Sequence, residues 1–204
     1  MRARSVVLLR NGVVIEDPAE AALGLLEGQW HLGFDDAVHP APFDERDVRR
    51  ANRGGARISA GEAQAIHDRG RTIERALRTI GPEASLAAPA RTVPWAALGR
   101  LFGAFADIHG VGLSKTTKAL HGKRPALIPI LDSVVQAYLA DDDPGARAPF
   151  AERGLELTRG YKRDLDRNRA ALRAIRSELA RRGYCVTEVR ILDVLIWSAL
   201  TPGS

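Results

Sequence analysis

Residues 108–135, IHGVGLSKTTKALHGKRPALIPILDSVV, hold most of the side chains whose types and spacing could do chemistry. Gly110-Val111-Gly112 separates two helical patterns, and Ser114, Lys115, Thr116 and Thr117 begin the second. Two glycines at that spacing predict a tight hairpin that lets another backbone come close. Its outward N–H groups, with the helix N-terminus after it, would bind a phosphate without any charged side chain. Lys115, Lys118, Lys123 and Arg124 would add longer-range attraction. An ordinary helix-to-helix turn with Gly at the cap uses the same residues. Asp132 lies twenty residues after Gly112, in Ile-Pro-Ile-Leu-Asp-Ser-Val-Val. A carboxylate in that apolar run either caps the helix that follows or is partly desolvated and aimed at a ligand.

The elements that must position these residues are mostly helical. Residues 5–16 form the exception: two β-branched runs flank Asn11-Gly12, which suits a type I′ turn and predicts an N-terminal β-hairpin. Pro18 opens a short helix ending near Leu26 or Glu27, and Asp44 caps another through Asn52 that stops at Gly54-Gly55. Ser59 and Glu62 form a capping box ahead of Ala63, Ile66, Ile73, Leu77 and Ile80. A Pro- and Ala-rich connection, 81–94, leads to Trp95, Leu98, Leu101, Phe102 and Phe105 at helical spacing. A helix from near Pro129 ends before the Asp141–Asp143 run. Residues 161–182 place Leu165, Leu172, Ile175 and Leu179 on one stripe, and a last helix from about Thr187 turns Val189, Leu192, Ile196 and Trp197 inward. The fold class is mainly α, a single compact domain over 1–204, with the hairpin and carboxylate segment at 94–140.

The 204 residues, 45% hydrophobic and 27% charged, can bury a core without metal or disulfide staples. Apolar runs such as Val194-Leu195-Ile196-Trp197 are too short to span a bilayer, and Arg10-Asn11 interrupts the only apolar stretch near the start, so neither membrane nor signal peptide is expected. The single Cys185 excludes an internal disulfide and any four-cysteine zinc or iron–sulfur site, and it reads as a small core residue in a cytoplasmic protein. The net charge is +5, and three of the four lysines fall between positions 115 and 123. That clustering permits a polyanionic partner.

The hairpin Gly110-Val111-Gly112 with Ser114, and Leu131-Asp132-Ser133-Val134-Val135 after it, resembles the helix-hairpin-helix DNA glycosylase superfamily. That superfamily carries a Pro-Gly-Val-Gly-x-Lys/Ser-Thr-Ala hairpin followed by Val-Asp-Thr-His-Val at the separation seen here, eighteen residues from Ser114 to Asp132. The resemblance covers about thirty of the 204 residues. His109 replaces the usual Pro, a second Thr precedes Lys118, and Val134 replaces the common His. The chain is also similar to small actinobacterial proteins carrying Lys-Arg-Pro-x-Leu-x-Pro-Ile-Leu-Asp, a similarity that implies no activity.

The resemblance implies a helical glycosylase-like fold that flips a damaged or modified base out of double-stranded DNA and excises it, needing no cofactor. Asp132 would be the catalytic carboxylate, stabilising the oxocarbenium-like sugar and orienting the attacking water. Ser114 falls where bifunctional members place a Schiff-base lysine, and Lys115, one residue on, points about 100 degrees away on a helix. The implied enzyme is monofunctional, without intrinsic AP lyase activity. Gly110, Val111, Gly112 and Ser114 would hold a phosphate of the strand carrying the target. The target stays open between DNA damage and a hypermodified phage base such as glucosylated hydroxymethylcytosine, because the hairpin grips backbone rather than bases. A bacterial, nucleoid-associated protein without an obligatory protein partner is implied; a non-catalytic helix-hairpin-helix DNA-binding module is the alternative.

A flipped base needs aromatic or amide groups around it. Trp30, Asn52 and Tyr138 are candidate lining residues, Asn52 because Arg49, Arg50 and Arg53 surround it. Trp197 reads as packing. The five histidines have no metal-ligand spacing, so no metal site is expected.

Overall fold

A computed structural model describes residues 6–28 and 42–201, a mainly helical fold with one small antiparallel hairpin at its start. Strands β1 (Val7–Leu8) and β2 (Val14–Ile15) pair Val7 with Ile15 and Leu8 with Val14. The turn is not the two-residue type I′. Leu9 N donates to Val13 O and Gly12 N to Leu9 O, closing a three-residue loop in which Gly12 alone takes positive φ. This is a type I turn with a glycine bulge, and it leaves Arg10 free to reach sideways. The Arg10 guanidinium pairs with Asp142 and Asp164 and donates to Gly160 O, docking the turn onto the helical body.

Ten helices follow among the described residues: α1 (Pro18–Glu27), α2 (Glu45–Arg53), α3 (Ala60–Asp68), α4 (Gly70–Arg78), α5 (Trp95–Gly103), α6 (Leu113–His121), α7 (Ser133–Tyr138), α8 (Phe150–Arg167), α9 (Arg169–Arg181) and α10 (Glu188–Leu200). The apolar stripes lie inside as their spacing requires: Ile66, Ile73, Leu77, Leu98, Leu101, Phe102, Leu165, Leu172 and Leu179 are all buried. Two stripes cross breaks. The run after Ser59 breaks at Arg69, just before Gly70, giving α3 and α4. Asn168 separates α8 from α9, because its side chain accepts from Leu8 N and donates to Leu8 O, completing the edge of β1. The expected helix from Pro129 starts later. Residues 128–132 are in neither helix nor strand, and α7 begins at Ser133 behind its cap.

The last helix is more than an amphipathic surface helix. Val189 through Ile196 are buried without interruption, so α10 is a central rod against which α1, α7, α8 and α9 pack. Opposite it, α5 lies on α8. A Cβ at Gly154 would come within 2.7 Å of Phe102 Cδ2, so the glycine sets how closely those helices approach. One hydrophobic cluster runs through all these layers. Cys185 is exposed rather than in the core, since it lies in the turn between α9 and α10. No described helix is long and apolar enough to cross a membrane.

Candidate functional site

The hairpin forms where its glycines place it. Gly110 has φ +78, and Gly112 is the extended residue that opens α6. Val111 is buried and its N–H donates to Ile108 O, while Gly112 and His109 are exposed. The first amides of α6 have no acceptor inside the helix, as at any helix start. Gly110 is required twice over, because a Cβ there would collide with Glu62 Oε1 as well as strain the backbone. Glu62 belongs to the capping box of α3, where its Oε2 accepts from Ser59 N at 2.8 Å. Its Oε1 takes Lys115 Nζ at 2.5 Å, and this pair holds the Glu62 carboxyl below the usual carboxylate range. A carboxylate therefore sits against the hairpin and occupies the cation nearest to it.

A buried threonine links the hairpin helix to the carboxylate segment. Thr117 Oγ1 donates to Leu113 O at 2.8 Å and accepts from Leu131 N at 3.0 Å. The next residue is Asp132, 4% exposed, at the N-cap of α7. Its Oδ1 accepts from Val134 N at 3.1 Å and Val135 N at 3.0 Å, and its Oδ2 accepts from Trp197 Nε1 at 3.0 Å. Both readings open from the sequence are thus partly realised: Asp132 is a helix cap, and it is desolvated. Among the described residues no cation lies within ion-pairing distance of it. Lys118, one turn beyond Ser114 on α6, is half-buried and near enough to feel the charge. Burial pushes its ammonium below the usual lysine range, Asp132 and Asp193 oppose that, and Arg57 adds to it.

Beneath this site lies a polar layer. Asp193, on the same helix as Trp197, pairs with Arg190 at 2.5 Å, both buried. His121 Nδ1 lies 2.6 Å from Ile128 O, and burial lowers the imidazole to about 4. The carbonyl must accept, so Nδ1 carries the proton.

The remaining candidates are not gathered into one patch. Lys123 is 3% exposed and pairs with Asp47 at 2.9 Å. Arg124 donates to the carbonyls of Leu77 and Ile80, closing the C-terminus of α4. Lys123 is thus buried in the fold, against its expected role as surface attraction for a polyanion, while the half-buried Arg124 turns its guanidinium to backbone carbonyls. Asn52 donates to Ile58 O at 2.9 Å and accepts from Ile58 N at 2.7 Å, clamping the loop after α2. Tyr138 is nearly buried, and its Oη accepts from Arg10 N at 3.1 Å. Burial pushes its phenol up to about 12. Trp30 lies outside the described residues. Tyr138 does border a cavity of about 570 Å³, with Arg10, Ser133, Val134 and Leu200. A second hollow of about 430 Å³ lies between α2 and α3, around Phe43 and His67.

Sequence reasoning gave no role to Thr117, whose partner lies fourteen residues away, and took Trp197 for packing rather than for the donor that contacts Asp132 across 65 residues. It also left out Arg57. The one signal for Arg57 was its place just after Gly54-Gly55, in a loop too short to hide a charge. Among the described residues no group of three or more His, Cys, Asp or Glu could hold a metal ion. No curated protein and no solved structure matches the chain. Residues 39–200 match DUF6308, a family of unknown function, and the chain belongs to it.

Proposed function

We propose that this protein is a monofunctional DNA N-glycosylase that excises a damaged or modified base. The observation that carries the reading is the Thr117 bridge, which fixes a backbone-gripping hairpin and a desolvated carboxylate in one rigid relation. Asp132 would stabilise positive charge as it develops on the sugar and orient the attacking water. Desolvation strengthens that effect, since a carboxylate out of water acts through a lower dielectric. Ser114, at the position where the helix-hairpin-helix glycosylases that the motif resembles can carry a lysine, would leave release to water alone. A specific observation favours a second reading, a non-catalytic DNA-binding module: both oxygens of Asp132 already accept hydrogen bonds as a cap.

The test incubates the protein and Asp132→Asn with duplexes carrying damaged and naturally modified bases, including glucosylated hydroxymethylcytosine. Base release is scored by mass spectrometry and abasic sites by alkali-dependent breaks. Release that drops by roughly 10²–10⁴ in the variant is expected. Breaks without alkali would overturn the monofunctional assignment. Binding without release on every duplex would leave the module.

A further inference from the structure

Arg57 is the only non-glycine among the described residues with positive φ, at 54°. Arginine has a Cβ, so this left-handed backbone is strained, and such strain persists where the surroundings over-determine it. They do so here. Asn52 clamps Ile58 through both its amide atoms, Gly55 N donates to Asn52 O, and Ala56 N to Ala51 O. The strain has no return in the free protein, because the exposed Arg57 side chain makes no hydrogen bond or ion pair with any described residue. Facing this loop from α6 is Lys118, whose Nζ would lie 3.9 Å from a Cβ on Gly55. Its ammonium is half-buried, has three protons to donate, and also has no hydrogen-bond acceptor among the described residues. Asp132, a carboxylate whose charge reaches this ammonium, already accepts from three N–H donors.

The loop that carries Arg57 thus comes against the Lys118 ammonium at Gly55, and neither cation has an acceptor among the described residues; Arg57 is also near enough to disfavour the charge on Lys118. A desolvated donor without an acceptor is costly, and two adjoining cations add repulsion. A single oxyanion would relieve both. We propose that Arg57 and Lys118 form a phosphate-binding site between the loop after α2 and the second turn of α6, apart from the hairpin. Its ligand is a phosphodiester of the bound DNA strand, an assignment that rests on the DNA reading above. The site supplies what the hairpin lacks, because Lys115 is neutralised by Glu62. The planar Arg57 fork suits two phosphate oxygens and the ammonium a third.

The experiment measures binding of a fluorescein-labelled 20-base-pair duplex against NaCl concentration. Each phosphate contact contributes about 0.9 to the salt slope, so Arg57→Gln and Lys118→Gln should each flatten it by about 1. Lys118→Arg should keep the slope, as should Arg181→Gln on α9. Arg57→Gly separates charge from strain: its melting temperature should hold or rise while the slope still falls. In parallel, melting is compared in inorganic phosphate and in chloride at equal ionic strength. Stabilisation by phosphate, lost in both Gln variants, supports the oxyanion site. If that appears while the duplex slopes stay unchanged, the ligand is a small phosphate compound and the DNA assignment is overturned. Unchanged slopes without phosphate-specific stabilisation overturn the site. Flattened slopes with a duplex panel that is never cleaved keep this site and remove only the enzyme reading.

Discussion

Asp47 and Asp132 are two buried carboxylates near helix starts, and they are balanced in opposite ways. Asp47 meets Lys123 at 2.9 Å and Arg50 at 3.7 Å, and its Oδ2 also accepts from Asp44 N. Asp132 meets three neutral N–H donors and no ion-pairing cation among the described residues. The first joins α2 to the turn after α6 by charge neutralisation. The second keeps a whole negative charge in a low-dielectric setting, held by dipoles that cost no reorganisation. Removing each carboxylate should therefore do different damage. Asp132→Asn preserves a good N-cap residue, so unfolding free energy should change by about 1 kcal/mol while base release collapses. Asp47→Asn strands a buried Lys123 and should cost about 3–5 kcal/mol in urea unfolding, with specific activity per folded molecule unchanged. Equal stability losses in the two variants would break the contrast.

His121 lies on α6, the helix joining the two carboxylate sites, and it reports on the interior between them. Its folded value of about 4 lies below the ordinary 6.5 because burial disfavours the imidazolium. As pH falls below 6.5 the unfolded chain takes a proton first, so stability is lost between pH 6.5 and 4, and no further below that. The loss is about 3 kcal/mol. Urea unfolding between pH 7.5 and 4 should show wild type falling by that much more than His121→Gln. Parallel pH profiles would mean that the imidazole reaches water.

Thr117→Val tests the bridge behind Asp132. Valine keeps the shape but leaves the buried Leu131 N–H without its acceptor, a cost of about 2 kcal/mol. Thr117→Ser should restore most of it. If the bridge positions Asp132, base release should fall in Val and recover in Ser, with the duplex salt slope unmoved in both. A slope that changes instead would place Thr117 with the DNA contacts.

What the sequence disclosed follows from the range of each cause. Periodic apolar spacing reports a helix's own buried face, so Leu98, Leu101 and Phe102, or Leu172, Ile175 and Leu179, were readable. The hairpin glycines and the Ser59–Glu62 box are local too. Boundaries failed where a distant partner decided them, as at Asn168, whose amide serves β1 rather than α9. Charge was the least legible property. Lys115, Lys118 and Lys123 lie within nine residues, yet one faces Glu62, one the Asp132 side and one Asp47, because successive turns of α6 carry the first two and Lys123 lies in the turn after the helix. The partner of Asp132, Trp197, carries an apolar signature, and no spacing rule separates a packing indole from one donating a hydrogen bond.

That indole offers the finest test of the contrast between the two carboxylates. Trp197→Phe keeps an aromatic ring against the core, trims the indole by one fused ring and deletes the Nε1–H that reaches Asp132 Oδ2. The bond is to a charged acceptor, which argues for a larger effect, but Trp197 is only partly buried and water can take over the donor's place. The net cost to stability should be about 1 kcal/mol. At Asp47 the side-chain partners are instead full charges. In a double-mutant cycle with Asp132→Asn, the Trp197→Phe penalty should shrink, because the amide no longer presents a charge. A coupling near zero would reduce the indole to packing and leave Asp132 oriented by its helix alone.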